Sequence, residues 1–213
     1  MYLVKTPALL KKIYHRCVWE MPANEKIIYL TFDDGPHPTA TPFVLNCLKE
    51  YNAKATFFCI GKNVVEHPDV YQAILENGHR AGNHTHNHMN GWKVSDKEYF
   101  DNIFLAAKYI DSNLFRPPYG RISLFQSKHL SSVSAYNSTE NPFKIIMWSV
   151  LSGDFDTTIN GKETALNVIN HAKAGSIVVF HDSEKAYPRM TEALPKTLEH
   201  FSKLGYRFES IIM

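Results

Sequence analysis

The sequence predicts an α/β fold built on a mainly parallel sheet. Three observations carry that reading. Short apolar runs recur along the whole chain, at 27–32, 54–58, 79–82, 114–115, 144–150, 176–181 and 206–212. Helix-patterned segments separate them, and this alternation is what strand–helix–strand units require. No repeat, low-complexity tract or linker interrupts it, so the 213 residues read as one folded unit. About seven such units suit a barrel, and a doubly wound open sheet also satisfies the alternation. In either case functional side chains belong at the C-terminal ends of strands.

The helices are justified by their punctuation. Thr41-Pro42 offers an N-cap and a first-turn proline to a helix carrying Val44, Leu45 and Leu48. Pro68 opens the next helix and Gly78 closes it. Ser95 followed by Glu98 is a capping-box pattern. Phe100, Ile103, Phe104, Ala107 and Ile110 then recur on one face. The last helix carries Leu194, Leu198 and Phe201, with Pro195 expected in its first turn and Gly205 as its stop.

Bulk properties bound the function. With 44% hydrophobic residues and 13% aromatics the chain can bury a sizeable core. A net charge of +2, without a clustered basic stretch, gives no nucleic-acid face. Cys17, Cys47 and Cys59 are odd in number and lack metal or redox spacing, so they read as small buried hydrophobes. The first 22 residues hold no uninterrupted apolar region, and Lys11, Lys12, His15 and Arg16 break them up too early for a transmembrane span. Read literally, that places the chain in the cytoplasm; a leader missing from the sequence would place it at the cell envelope or outside the cell. The oligomeric state is open.

Five segments at strand ends carry the chemistry. Asp33-Asp34-Gly35-Pro36 follows the first apolar run. Burying two carboxylates is costly without a partner, and Gly-Pro breaks the extended geometry, so both could turn into one pocket. The same tetrapeptide also suits a surface turn. His84-Thr85-His86-Asn87-His88 follows the third run. If this segment is helical, His84 and His88 share one side of a turn while His86 points elsewhere, exposed or one layer removed. Two imidazoles and a carboxylate make a set of ligands for a divalent cation with positions left open. Arg116-Pro117-Pro118-Tyr119-Gly120 reads as a stiff loop. Trp148 to Asp156 follows another strand, and the apolar strand 177–180 runs into His181.

In this order, TFDDGP, the histidine pair at 84 and 88, RPPYG and the run into His181-Asp182 resemble the polysaccharide deacetylase family, also called the NodB-homology domain or carbohydrate esterase family four. The resemblance implies a distorted (β/α) barrel of about seven strands over residues 26–213, with residues 1–25 as an extension packing on that domain. It implies a metal-dependent hydrolase acting on carbon–nitrogen bonds, removing N-acetyl groups from glycans that contain N-acetylglucosamine, of the peptidoglycan or chitin type. Asp33 would be the general base. Asp34, His84 and His88 would hold a divalent metal, commonly zinc, with cobalt, nickel or manganese as alternatives. Arg116 would tune Asp33, the Tyr119 N–H would meet the oxyanion, His181 would be the general acid, and Val179 and Trp148 would wall the acetate pocket.

One position departs from the family pattern. Where the fourth motif reads Asp-x-x-Asp-Trp, this chain has Leu151, Asp154 and Phe155. Loss of a carboxylate at Leu151 is expected to leave His181 with a lower pKa and a less fixed tautomer, unless Asp154 or Asp156 substitutes. Two rival readings follow: a non-catalytic carbohydrate-binding relative, suggested by Leu151, and a hydrolase of a non-sugar amide or other C–N bond.

Overall fold

The computed structural model describes residues 2–133 and 142–213. Eight strands form one sheet: β1 (Ile27–Asp33), β2 (Thr56–Cys59), β3 (Arg80–Asn83), β4 (Leu114–Phe115), β5 (Lys144–Ile145), β6 (Val150–Leu151), β7 (Ile177–His181) and β8 (Arg207–Phe208). Their order is β5-β4-β3-β2-β1-β7-β6, with β8 beside the start of β1, and every one of these pairings is parallel. Around them lie α1 (Ala8–Ile13), α2 (Ala40–Glu50), α3 (Gly61–Glu66), α4 (Pro68–Glu76), α5 (Asp96–Ala107), α6 (Leu124–Leu130), α7 (Gly161–Ile169) and α8 (Tyr187–Lys203).

Strand periodicity divides the core into two layers. In β1, Ile28, Leu30 and Phe32 face the helices, as do Val178 and Phe180 of β7. The rings of Phe57, Phe32 and Phe180 stack in a row across β2, β1 and β7. The alternate residues face inward, where Phe58 of β2, Leu114 of β4, Ile146 and Ile177 of β7 meet in one cluster. Side chains from strands as far apart as β4 and β7 touch there, so the sheet curls into the distorted (β/α) barrel expected from the strand count. The same period of two turns Thr31, Asp33, Val179 and His181 inward.

The barrel wall is interrupted between β5 and β6. The 144–150 run, expected as one strand, splits because the carbonyls of Ile146 and Met147 turn inward to Arg116, at 3.1 and 3.0 Å. Chain-start residues span the gap: Lys5 bridges Val150 antiparallel, Val18 bridges Ile146 in parallel, and Glu20 bridges Ser176 antiparallel. Among the described residues no helix is long and apolar enough to cross a membrane. All three cysteines are free and buried, as the sequence implies.

Two helix readings need correction. Thr41 does not cap α2, which begins at Ala40; its hydroxyl instead donates to Asp182 at 2.5 Å. Pro195 lies in the middle of α8 rather than its first turn. A mid-helix proline costs about 3 kcal/mol, but Met190, Ala193, Leu194, Leu198 and Phe201 are all buried on one face of α8. Each large apolar side chain contributes about 1.5–3 kcal/mol when fully buried, so packing outweighs the lost hydrogen bond. Gly205, at φ +76°, ends the helix as expected.

The capping box of α5 is formed: Ser95 Oγ accepts from the Glu98 N–H, and Glu98 Oε2 accepts from the Ser95 N–H at 3.0 Å. Replacing Ser95 with Ala should cost about 1 kcal/mol and lower the melting temperature by about 2–4 °C, read by calorimetry. No change would mean that the box contributes nothing to α5.

Candidate active site

Each motif emerges at the C-terminal end of its strand: Asp33 from β1, His84 after β3, Arg116 after β4, Asp154 after β6 and His181 from β7. These ends surround one cleft of about 850 Å³, lined by Asp33, Asp34, His84, His88 and His181.

Arg116 is fully buried at the centre of the barrel mouth. Its Nη1 donates to Asp33 Oδ1 at 2.7 Å and to Thr31 Oγ1 at 2.6 Å. With the Ile146 and Met147 carbonyls, every arm of the guanidinium has an acceptor. Its plane also lies over Phe58, with 4.1 Å from the guanidinium carbon to the ring centroid. Burial lowers the Arg116 pKa, and the adjacent Asp33 carboxylate works against that shift.

Asp34 turns into the same cleft because the chain reverses there, with Asp34 at φ 81°. Gly35 allows the turn: its N–H donates to Asp182 Oδ1 at 3.1 Å, and any Cβ would run into that carboxylate. Burial raises the Asp182 pKa to about 8; the Thr41 hydroxyl opposes the rise, and the charge of Asp34 adds to it.

The histidine pair converges without a helix. Residues 84–90 form a loop in which Thr85 (φ 63°) and His88 (φ 53°) are left-handed, correcting the helical reading. Asn102, buried in α5, holds the loop by accepting from the N–H groups of His86 and Asn87 at 2.9 Å. His84 Nδ1 lies 2.8 Å from the Arg116 carbonyl, so it carries the proton and its Nε2 lone pair faces Asp34. Asp34 Oδ1 lies 3.1 Å from His88 Nε2 and 3.7 Å from His84 Nε2. The three candidate ligand atoms lie within 4.8 Å of one another. Asp34 Oδ1 is buried yet lacks a hydrogen-bond partner among the described residues, as a carboxylate oxygen meant for a cation would. Burial pulls the His84 pKa down to about 4, despite Asp33, leaving the neutral imidazole that metal binding needs. Burial opposes ionisation of Asp34, but His88, His181 and His84 outweigh it and hold its pKa well below the usual range. His86 points away toward Tyr109, with 5.8 Å between ring centroids.

At the end of β7, in register with Asp33 of β1, His181 has a carboxylate partner. Its Nδ1 lies 2.7 Å from Asp154 Oδ1, and its N–H donates to Asp154 Oδ2 at 2.6 Å. Of the outcomes left open by Leu151, the structure has Asp154 as the substitute partner, so His181 is not left with a lowered pKa. The turn after β6 brings Asp154 over the end of β7, and Arg189 fixes it by donating to its carbonyl at 2.6 Å. Burial alone would lower the His181 pKa; Asp154, with smaller help from Asp34 and Asp33, overrides it and raises the value to about 10. Asp156 instead accepts from Thr158.

The remaining predicted residues line the same cleft. Tyr119, at φ 60°, has an N–H with no acceptor among the described residues, whereas the next two amides are bonded to Pro117 and Pro118. Its ring sits 4.5 Å from that of His88. Val179, Trp148 and Leu151 form an apolar wall. The sequence reading missed Thr31, Asn102 and Asp182. A carboxylate directly after a buried strand, and an asparagine on the apolar face of α5, were the available signals.

A base candidate held by a buried arginine, a carboxylate–imidazole ligand set and an imidazole–carboxylate pair define the class: a metal-dependent hydrolase on a (β/α) barrel. The comparisons name the family. The polysaccharide deacetylase profile matches residues 20–136. A peptidoglycan-N-acetylglucosamine deacetylase of Bacillus cereus is 37% identical over 199 residues, 91% of this chain and 90% of that protein. A chitooligosaccharide deacetylase of Azorhizobium caulinodans is 34% identical over 167 residues, 75% of each chain. The crystal structure of the Bc1960 peptidoglycan N-acetylglucosamine deacetylase, in complex with 4-naphthalen-1-yl-N-oxidanyl-benzamide, superposes with a TM-score of 0.84 at 31% identity, covering 97% of this chain and 95% of that one. The chain belongs to the polysaccharide deacetylase family.

Two substitutions test the geometry. Asp154→Asn removes the charge that stabilises the His181 imidazolium, so its midpoint in an NMR titration should move to lower pH; an unchanged midpoint would assign the shift to other groups. Gly35→Ala should weaken divalent-metal binding roughly tenfold or more by displacing Asp34, measured by competition with a chromophoric chelator, and unchanged affinity would show that the turn tolerates a side chain.

Proposed function

We propose that the chain is a metal-dependent deacetylase acting on glycans that contain N-acetylglucosamine, of the peptidoglycan or chitin type. The observation that carries this reading is the convergence in one cleft of Asp33 and His181, register partners at the ends of adjacent strands β1 and β7, with the Asp34–His84–His88 set. Asp34, His84 and His88 would hold a divalent cation, for which a carboxylate and two imidazoles with open positions favour zinc over cobalt, nickel or manganese. Once bound, the cation supplies Lewis-acid polarisation of the acetamide carbonyl and acidifies water.

The chain's own groups supply the rest. Asp33, held ready by Arg116, accepts the proton of the water that adds to the carbonyl carbon. The Tyr119 N–H donates to the oxyanion of the tetrahedral species. His181, kept protonated by Asp154, gives its proton to the nitrogen as the C–N bond breaks, leaving acetate and an amino sugar. Val179, Leu151 and Trp148 shelter the acetyl methyl group. The firm Asp154–His181 pair removes the motive for a non-catalytic binding relative.

Acetate release from N-acetylglucosamine oligomers tests the proposal. A chelator should abolish release and zinc should restore it. His84→Ala should lose the bound metal, whereas Asp33→Asn should keep the metal and lose about 10²-fold or more in rate. Release that persists under chelation, or no release from any saccharide by the zinc-loaded protein, overturns it.

A further inference from the structure

Residue 182 is bonded to the chain on both sides of Asp34. Its N–H donates to the Asp33 carbonyl at 3.1 Å, one step beyond the register pair Asp33–His181 of β1 and β7. Its carboxylate reaches past the turn, where Oδ1 accepts from the Gly35 N–H at 3.1 Å. The Asp33 carbonyl belongs to the peptide group before Asp34, and the Gly35 N–H to the one after it. Peptide groups are planar, so holding both of them sets φ and ψ of the residue between, and with them the direction of its Cα–Cβ bond. Asp34 needs such a hold. At φ 81° it lies in a left-handed region that a non-glycine residue keeps only where its surroundings dictate it. The start of α3 grips the same turn from the other side: Asn63 donates to the Asp34 carbonyl at 2.7 Å, and the Ile60 N–H donates to the Gly35 carbonyl at 2.9 Å.

The Asp182 carboxylate is itself held. His181 lines the cleft, and its neighbour turns the other way, toward the start of α2. There Thr41 Oγ1 donates to Asp182 Oδ2 at 2.5 Å and accepts from the His37 N–H at 2.8 Å. Neither Asp182 nor Thr41 is exposed to solvent. A carboxylate taken wholly out of water is costly unless its oxygens are bonded and a charge answers it. The bonds are present, but the buried ion pairs of the site leave Asp182 out: Arg116 is paired with Asp33, and His181 with Asp154. An apolar side chain would fill the position at lower cost, so the cost points to a task that the two oxygens perform. They link Gly35 on one side to Thr41 on the other, in a seat so close that a Cβ on Gly35 would lie 2.0 Å from Asp182 Oδ2. At the cleft end of the same turn, Asp34 Oδ1 lies 3.1 Å from His88 Nε2 and 3.7 Å from His84 Nε2.

We propose that Asp182 is a positioning residue for the metal-binding set: seated by Thr41, it locks the backbone on both sides of Asp34 and so aims the Asp34 carboxylate at His84 and His88. The role rests on the metal-dependent reading of the site, and metal affinity tests it without turnover. Thr41→Val keeps the shape of the side chain and strips Asp182 Oδ2 of its donor, whereas Thr41→Ser keeps the hydroxyl. Zinc affinity, measured by competition with a chromophoric chelator, should fall about tenfold in Thr41→Val and stay within about twofold of wild type in Thr41→Ser. Asp182→Ala, which removes both bonds, should lose roughly 10–100-fold. If circular dichroism shows that Asp182→Ala does not fold, the Thr41 pair decides. With cobalt bound at saturation, the visible d–d bands should shift in Thr41→Val and match wild type in Thr41→Ser. A Thr41→Val protein with a lower melting temperature but unchanged zinc affinity and cobalt bands would make the contact purely structural and overturn the proposal. An equal loss in Thr41→Ser would trace to packing and overturn it too. Failure of the wild-type protein to bind either ion would overturn it together with the metal reading. The expected losses in a protein that binds zinc and releases no acetate would sink the deacetylase reading and leave the positioning role standing. Acetate release with unchanged affinities would do the reverse.

Discussion

The buried pair between Arg116 and Asp33 is the constraint around which the barrel mouth is arranged. A guanidinium with no exposure is tolerable only when its donors are satisfied and a charge answers it. Meeting that condition draws in two residues of β1, Thr31 and Asp33, and two carbonyls of the segment after β5. The interruption of the wall between β5 and β6 is the geometric result. Arg116 acts through its backbone as well, since its carbonyl accepts from His84 Nδ1 and leaves the other ring nitrogen for a cation. One residue thus sets the environment of the proposed base and the tautomer of a proposed metal ligand.

Local backbone strain is concentrated at the same place. Among the described residues, the non-glycine residues at positive φ are Asp34, Asn52, Thr85, His88 and Tyr119, and all but Asn52 belong to the site or its loops. Left-handed backbone at such residues costs on the order of 1–3 kcal/mol each and persists where the surroundings dictate it. Here they do: Asn63 donates to the Asp34 carbonyl, Asn102 holds the histidine loop, and the Asp182 carboxylate fills the space beside Gly35. The deviations aim two imidazoles and a carboxylate at one point.

Much of this was legible in the sequence. Five of the seven apolar runs located their strands to within a residue or two, because strands buried on both faces read as continuous hydrophobic stretches, whereas the run at 206–212 extends four residues beyond β8 and that at 144–150 splits into β5 and β6. Motifs at strand ends then located the cleft. The errors share a cause, which is that local rules were overridden by distant contacts. Residues 144–150 look like one strand, yet Arg116 claims their carbonyls. Pro195 suits the first turn of a helix, yet the buried face of α8 carries it in mid-helix. The spacing of His84 and His88 fits a helical turn, yet Asn102, 14 residues beyond His88, dictates a loop. Leu151 left the partner of His181 open between Asp154 and Asp156, and the choice of Asp154 depends on the turn after β6, which pattern matching does not reveal.

The start of the chain lines part of the cleft, which has a consequence for how the protein can vary. The groups positioned for chemistry stand on the ends of strands within the repeated β/α frame, where moving one disturbs its neighbours. The chain-start residues that line the cleft are joined to the frame by a few backbone bridges, and their apolar side chains are mostly exposed. Part of the cleft's wall and the groups positioned for chemistry are therefore encoded in separate stretches of chain.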